Sequence, residues 1–284
     1  MSEGPPPAED GLYGDIPESV YHGDKRSLSS SGARLLLPPS CPAIFKARQE
    51  KPERKAEFDF GHAAHKYVLG VGEQIVAVEA NNWRTKAAQE LRQKAYDEGR
   101  VPILLHESYA AKGMARRVRE NPLASSLLSD GDPELSGYWH DPETGVRLRC
   151  RPDWLPEIRS DRRLIVVDYK TTVGNADPEG FARSAATFGY HIQAAMYLDG
   201  VAATTGVDDA AFVFIVQSKR HPYVVSVVEL DAEAIALGRR QLRRAIDTYA
   251  GCLAKDYWPE YGNQVHRVSL PTYATYQAEE YLAS

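Results

Sequence analysis

The run Leu164-Ile165-Val166-Val167-Asp168-Tyr169-Lys170 constrains this chain more than any other segment. Its four apolar residues, three of them β-branched, specify a buried strand. The strand then carries an acid and an amine at its end. Side chains alternate across a strand, so Asp168 and Lys170 share one face and Tyr169 takes the other. Such charges at the end of a buried strand are costly unless they pair or bind something. A second acid, Asp153, lies fifteen residues upstream in Arg-Pro-Asp-Trp. An acid, a spacer and then Asp-x-Lys is what a hydrolytic metal site acting on phosphodiesters needs. Two carboxylates hold a hard cation, and the lysine neutralises charge or lowers the pKa of the attacking water. The competing reading is a buried salt bridge plus a surface acid.

At 284 residues the chain can bury one large core, or one core with an appended subdomain. Its 43% apolar and 26% charged content match a soluble globular protein, and no apolar run approaches the roughly 20 residues that span a bilayer. The opening Met-Ser-Glu-Gly-Pro-Pro-Pro does not read as a signal peptide, so a cytoplasmic protein without membrane contact is expected, in a bacterium or a phage-infected cell. Cys41, Cys150 and Cys252 are odd in number and far apart, which excludes a disulfide framework and a four-thiolate cluster. The net charge of −5 is unhelpful to a nucleic-acid enzyme, although a basic groove can sit in an acidic shell.

Residues 1–10 are Pro-rich and acidic, and are expected to form a disordered tail before a single domain over 11–284. Ser29 to Leu37 reads as a serine-capped short helix stopped by Pro38-Pro39. Residues 57–70 put Phe58, Gly61, His62, His65 and Leu69 at helical spacing. Further helices are expected over 84–98 and 107–129, the latter broken near Asn121-Pro122. A β-hairpin over 135–154, the strand at 164–170, a helix over 178–205 with a break near Gly189, a second hairpin over 211–230 and a long helix over 232–255 complete the pattern. This order predicts an α/β fold with a helical N-terminal part.

Several side chains could join the centre. Glu134 is a candidate third catalytic carboxylate, or an ordinary strand-edge acid. His65 falls one turn after Gly61 on the inward helix face, where a lone histidine is either a metal ligand or a core hydrogen-bonding group. Arg147, Arg149, Arg151 and Asp153 alternate along one predicted strand, so they form either the solvated face of a hairpin or a basic rail for a phosphate backbone. Gln193 and Tyr197 lie at i, i+4 on one helix face.

Together these residues resemble the PD-(D/E)XK nuclease superfamily, whose core is a mixed sheet flanked by helices. The likeness is greatest to phage and prophage recombination exonucleases of the exodeoxyribonuclease VIII (RecE) type. It runs from about Tyr13 to Trp258 and rests on Tyr21-His22 through Ser29-Ser30-Ser31 to Pro42, Gly61 to His65, Pro152-Asp153, Asp168-Tyr169-Lys170, and Gln193 to Tyr197. The three scattered cysteines argue against the branch that carries an iron–sulfur cluster.

The resemblance implies that His65, Asp153, Asp168 and the Tyr169 carbonyl bind Mg²⁺, with Mn²⁺ as a substitute. It implies that Gln193 and Tyr197 contact DNA or orient Lys170. It further implies 5′→3′ exonuclease action on the ends of linear double-stranded DNA, a ring-shaped homo-oligomer and a RecT-type single-strand annealing partner. A structure-specific endonuclease and a catalytically silent DNA- or protein-binding module are the alternatives. Ser31 and Arg34, at the start of the short helix, could hold a 5′-terminal phosphate through free N–H groups and a planar guanidinium; the alternative is a serine cap beside a solvated arginine.

Overall fold

The computed structural model describes residues 4–51 and 56–283. Strand β1 (Gly11–Tyr13) leads into helices α1 (Glu18–Gly23), α2 (Ser30–Leu35) and α3 (Pro42–Glu50), and a single 3₁₀ turn then opens α4 (Asp59–Leu69). Next come β2 (Ile75–Val78), α5 (Lys86–Asp97), β3 (Val101–Leu104), α6 (Leu105–Glu120) and α7 (Pro122–Leu127). The β-rich half follows with β4 (Gly131–Pro133), β5 (Ser136–His140), β6 (Arg147–Cys150), β7 (Trp154–Pro156) and β8 (Leu164–Thr172). Helices α8 (Pro178–Phe188) and α9 (Tyr190–Thr205), strands β9 (Ala210–Ser218) and β10 (Val225–Glu229), and helices α10 (Ala232–Lys255) and α11 (Thr272–Leu282) complete the chain.

The central sheet is mixed, in the order β10-β9-β8-β7-β4. Only the β8–β9 pair within it is parallel, joined by the α8–α9 crossover; its other pairs are antiparallel. This is the α/β architecture that the sequence pattern predicts. One face packs Val166, Phe212 and Phe214 against α8, α9 and α10. The other packs Val167, Tyr169 and Ile215 against α4 and α6. Strand β8 is therefore buried on both faces, which is why it reads as a continuous apolar run.

The helix boundaries follow local chemistry. Ser29 caps α2 by accepting from Gly32 N, and Asn121 caps α7 by accepting from Ala124 N. Gly189, at φ +70°, turns the chain between α8 and α9. Helices α9 and α10 cross closely: a β-carbon on Gly238 would stand 2.2 Å from the His191 carbonyl oxygen, so only glycine fits there. Among the described residues, no helix is long and apolar enough to cross a membrane.

Three expectations need correction. Residues 7–10 are not a free tail: Arg147 donates to the carbonyls of Pro7, Ala8 and Glu9, and Asp10 accepts from the His140 backbone N–H. Residues 1–3 of that expected tail lie outside the described residues. The second strand of the first hairpin is broken at 151–153, with β6 in a three-stranded sheet (β1-β5-β6) and β7 in the central sheet. Arg147, Arg149, Arg151 and Asp153 therefore do not share one strand face. The parallel pair β2–β3 and helix α11 were not anticipated from the sequence.

Candidate active site

Asp153 and Asp168 meet where β7 ends beside β8. The β7–β8 ladder is a single pair, Trp154 opposite Val167. Continued by two residues, that register would set Pro152 against Tyr169, and proline has no N–H to give. The Tyr169 N–H instead donates to Asp153 Oδ2 at 2.6 Å. In an extended strand the N–H and C=O of one residue point to the same side. The Tyr169 carbonyl thus faces Asp153, on an edge that Pro152 cannot close. The Pro-Asp step opens the strand edge and puts a carboxylate at the opening.

Asp168 is 1% exposed. Its Oδ1 accepts from Gln193 Nε2 at 2.8 Å, so α9 orients this carboxylate. Its Oδ2 forms an ion pair with the Lys170 ammonium but receives no well-aligned hydrogen bond. Lys170 also lies over the Tyr190 ring, 5.1 Å from its centroid. Burial, then repulsion from Asp153, raises the Asp168 carboxyl to about 6, although Lys170 pulls the other way. Burial also acts against the charged forms of Asp153 and Lys170, but their opposite charges outweigh it. His65 and Lys170 hold the Asp153 carboxyl below its usual range, and Asp168 and Asp153 raise the Lys170 ammonium above its own.

His65 reaches this centre from α4. Its Nε2 lies 2.8 Å from Asp153 Oδ2 and its Nδ1 lies 3.6 Å from Glu134 Oε1. Burial opposes the charged imidazole, but Asp153, Glu134 and Asp168 together raise His65 to about 9. Two cationic side chains, His65 and Lys170, therefore face buried Asp168 and partly buried Asp153. Glu134 sits at a positive φ of 53° between β4 and β5, with its N–H on the Asp153 carbonyl. Burial raises its carboxyl above the usual range.

These groups line a cleft of about 360 Å³, which also contains Glu18, His22, His62, Lys66 and Glu73. Asp153, Asp168, Lys170, Glu134, His65, Gln193 and Tyr197 are all brought together there. Gln193 orients Asp168 rather than Lys170, while Tyr197 is buried and meets the cleft from below.

The arginine reading is corrected here. Arg149 is buried and donates to the carbonyls of Asp24 and Ser27 and to the Ser27 hydroxyl, so it clamps the α1–α2 connection and reaches no rail. Arg151 bonds Ser136 Oγ and the Ile16 carbonyl and stacks over Tyr21 at 4.1 Å, with an edge in the cleft. Arg34 donates to the Phe188 carbonyl at the α8–α9 junction, and Ser31 Oγ lies 3.1 Å from Ser29 Oγ at the helix start. One arm of the Arg34 guanidinium is therefore engaged by the fold.

Two contributors escaped the sequence reading. Tyr190 sits one turn before Gln193 and supplies the ring beneath Lys170. Gln217, with no exposed surface, accepts from Tyr169 Oη at 2.5 Å and donates to the carbonyls of Met114 and Tyr223. Its signal was a polar residue ending an apolar strand, but its partners lie 48 and 103 residues away.

A divalent cation fits this donor set. Asp168 Oδ2 is buried without a hydrogen bond, two carboxylates converge, and the Tyr169 carbonyl faces them. Among the described residues, no three His, Cys, Asp or Glu side chains form a complete cage by themselves.

A family model for a PDDEXK-like domain of unknown function (DUF3799) matches residues 29–270. The chain belongs to this family. The match takes in His65, Glu134, Asp153, Asp168, Lys170 and Gln193, the residues that build the cleft. Among solved structures, a presumptive exonuclease from Eubacterium rectale is similar at TM-score 0.57 and 12% identity, covering 91% of this chain and 96% of its own. That likeness carries the fold alone. A phage-related exonuclease from Haemophilus somnus (TM-score 0.30, 14% identity, 81% and 96% covered) and an alkaline exonuclease from Laribacter hongkongensis (TM-score 0.28, 13% identity, 81% and 92% covered) are more remote. No curated protein matches the chain at a significant level.

The His65 contacts give one expected result. His65→Ala should raise the divalent-ion concentration needed for half-maximal cleavage by roughly 10- to 100-fold, the usual effect of losing a group that tunes a metal site. Without metal the melting temperature should fall, because Asp153 and Glu134 lose the cation that faces them, and the divalent ion should restore it. Metal titration of cleavage, beside a melting curve, checks it. A large loss of melting temperature that the ion does not restore, with an unchanged metal requirement, would make His65 a core histidine.

Proposed function

We propose that this chain is a metal-dependent deoxyribonuclease that degrades linear double-stranded DNA from its ends. The observation that carries this reading is the convergence of two carboxylates, buried Asp168 and partly buried Asp153, at an open strand edge with Lys170 beside them. Asp153, Asp168 and the Tyr169 carbonyl would hold the cation, with His65 as a further ligand or as the group that positions Asp153. A bound Mg²⁺, or Mn²⁺ in its place, supplies Lewis acidity that makes a water nucleophilic near neutral pH and neutralises the phosphate oxygens. Lys170 stands on the Asp168 side, where its ammonium orients the attacking water and balances charge on the phosphate. Gln193 holds Asp168 in the rotamer that turns Oδ2 inward. Glu134, at 3.6 Å from His65, is positioned to accept a proton from water in the cleft.

The exonuclease part of the proposal is supported by the fold shared with the Eubacterium rectale protein. The 5′→3′ direction, the 3′ single strands handed to a RecT-type annealing protein, and a ring of identical subunits around the DNA belong to the same proposal. The test is digestion of labelled linear duplex against covalently closed circular duplex with Mg²⁺. An exonuclease degrades only the linear form, and a 5′ label should appear early as mononucleotide. Opening of the circle would mark an endonuclease. Retention of both forms with binding would mark a silent DNA-binding module.

A further inference from the structure

The loop between β9 and β10 carries a cation that the catalytic centre described above does not use. Lys219 is half-buried, and among the described residues no carboxylate pairs with its ammonium. Burial lowers its pKa, and among the described residues no charged neighbour opposes the shift. Its Nζ lies 5.7 Å from the centroid of the Phe60 ring. A β-carbon on Gly61 would stand 3.9 Å from this Nζ and 3.7 Å from Thr171 Oγ1. The ammonium and the hydroxyl therefore flank one point, and the glycine leaves it open.

That point has a fixed relation to the catalytic centre. Gly61 precedes His65 by four residues, about one turn of α4 and about 6 Å along the axis. Thr171 follows Lys170 on β8. The Lys219 N–H donates to the Thr172 carbonyl at 2.8 Å, which ties the loop to the end of the catalytic strand. Gln217 fastens the same loop by donating to the Tyr223 carbonyl while accepting from Tyr169. Tyr223 turns at φ +59°, a left-handed conformation that is strained for a residue with a side chain. Among the described residues this half-buried ammonium meets the Phe60 ring but no carboxylate, so its charge is available to an incoming anion.

We propose that Lys219, with Thr171, holds a non-scissile phosphodiester of the DNA strand one step from the catalytic centre. This rests on the nuclease reading and adds the path of the strand past the open edge of β8. The contact is internal to the strand and is not a receptor for a terminal phosphate. Lys219 is a positioning residue: it fixes the backbone next to the reacting phosphate and does not touch the reacting atoms.

The test compares wild type, Lys219→Ala, Lys219→Gln and Lys219→Arg on linear duplex bearing either a 5′ phosphate or a 5′ hydroxyl. Cleavage is followed with Mg²⁺, and equilibrium binding is followed with Ca²⁺ over a range of salt. Lys219→Ala and Lys219→Gln should lower kcat/KM about tenfold, mainly through KM. They should also reduce the slope of log K against log salt by about 0.7 to 0.9, the loss of one phosphate contact. Lys219→Arg should restore the slope, and melting temperatures should not fall. The effect should be equal for both kinds of 5′ end. An unchanged slope and KM in both neutral variants, beside an active wild type, would overturn the assignment, as would an effect confined to the 5′-phosphorylated duplex. A wild type that neither cuts nor binds linear DNA would instead overturn the nuclease reading itself.

Discussion

Asp168→Asn should lower cleavage of linear duplex by at least about two orders of magnitude, the scale of losing one group that stabilises transition-state charge. The carboxylate is 1% exposed and its Oδ2 meets the Lys170 ammonium without a well-aligned hydrogen bond, so its charge is available to a divalent cation. An asparagine keeps the shape and can still accept from Gln193. It also relieves the repulsion from Asp153 that raises the Asp168 carboxyl to about 6. Against that, the amide faces the Lys170 ammonium less well. The two effects oppose each other, and the melting temperature should shift by only a few degrees, roughly 1 kcal/mol for a domain of this size. Single-turnover cleavage and a melting curve on the same preparation check both halves. Wild-type turnover in the variant would remove Asp168 from the centre.

Lys170→Ala should separate metal binding from chemistry. An ammonium donates and cannot ligate while protonated, and although burial opposes the charge, Asp168 and Asp153 keep Lys170 protonated. It competes with a cation for Asp168 Oδ2. Calorimetric titration with Mn²⁺ should therefore show affinity equal to or tighter than wild type, while the rate at saturating metal falls by about 10²- to 10⁴-fold. Without metal the variant leaves Asp168 and Asp153 with one cation fewer, so its melting temperature should drop, and Mn²⁺ should restore it. A collapse of metal affinity with a normal rate at saturation would make Lys170 structural.

The parts of this site legible in the sequence are those where chemistry breaks a pattern. Asp168 and Lys170 stand out because they end an apolar strand, and His65 because it follows Gly61 by one turn. Pro152 was legible as half of a motif, but its work, keeping the strand edge open beside Tyr169, needs the register. Arg149 was misread because alternation along β6 looks the same whether a guanidinium faces solvent or folds back. Arg149 ends in a cage of carbonyls contributed by residues 24–27, far away in sequence. The N-terminal segment reads as disordered by composition, yet the Arg147 guanidinium holds it through backbone carbonyls that any sequence would offer. Strands β2 and β3 were missed because each is four residues long and β3 contains Pro102. Lys219 looked like an ordinary turn residue, and only the fold shows it beside Gly61 and Thr171.

The central claim is that Asp153, Asp168 and Lys170 form a cation-dependent phosphodiester-cleaving centre. The most direct measurement is release of nucleotides from end-labelled linear duplex by purified wild-type protein, titrated with Mg²⁺ and then quenched with EDTA. Release that rises with Mg²⁺, stops on chelation, resumes on adding Mg²⁺ back and is absent in Asp168→Asn is the predicted result. Release that is indifferent to EDTA, or equal in Asp168→Asn, would contradict it.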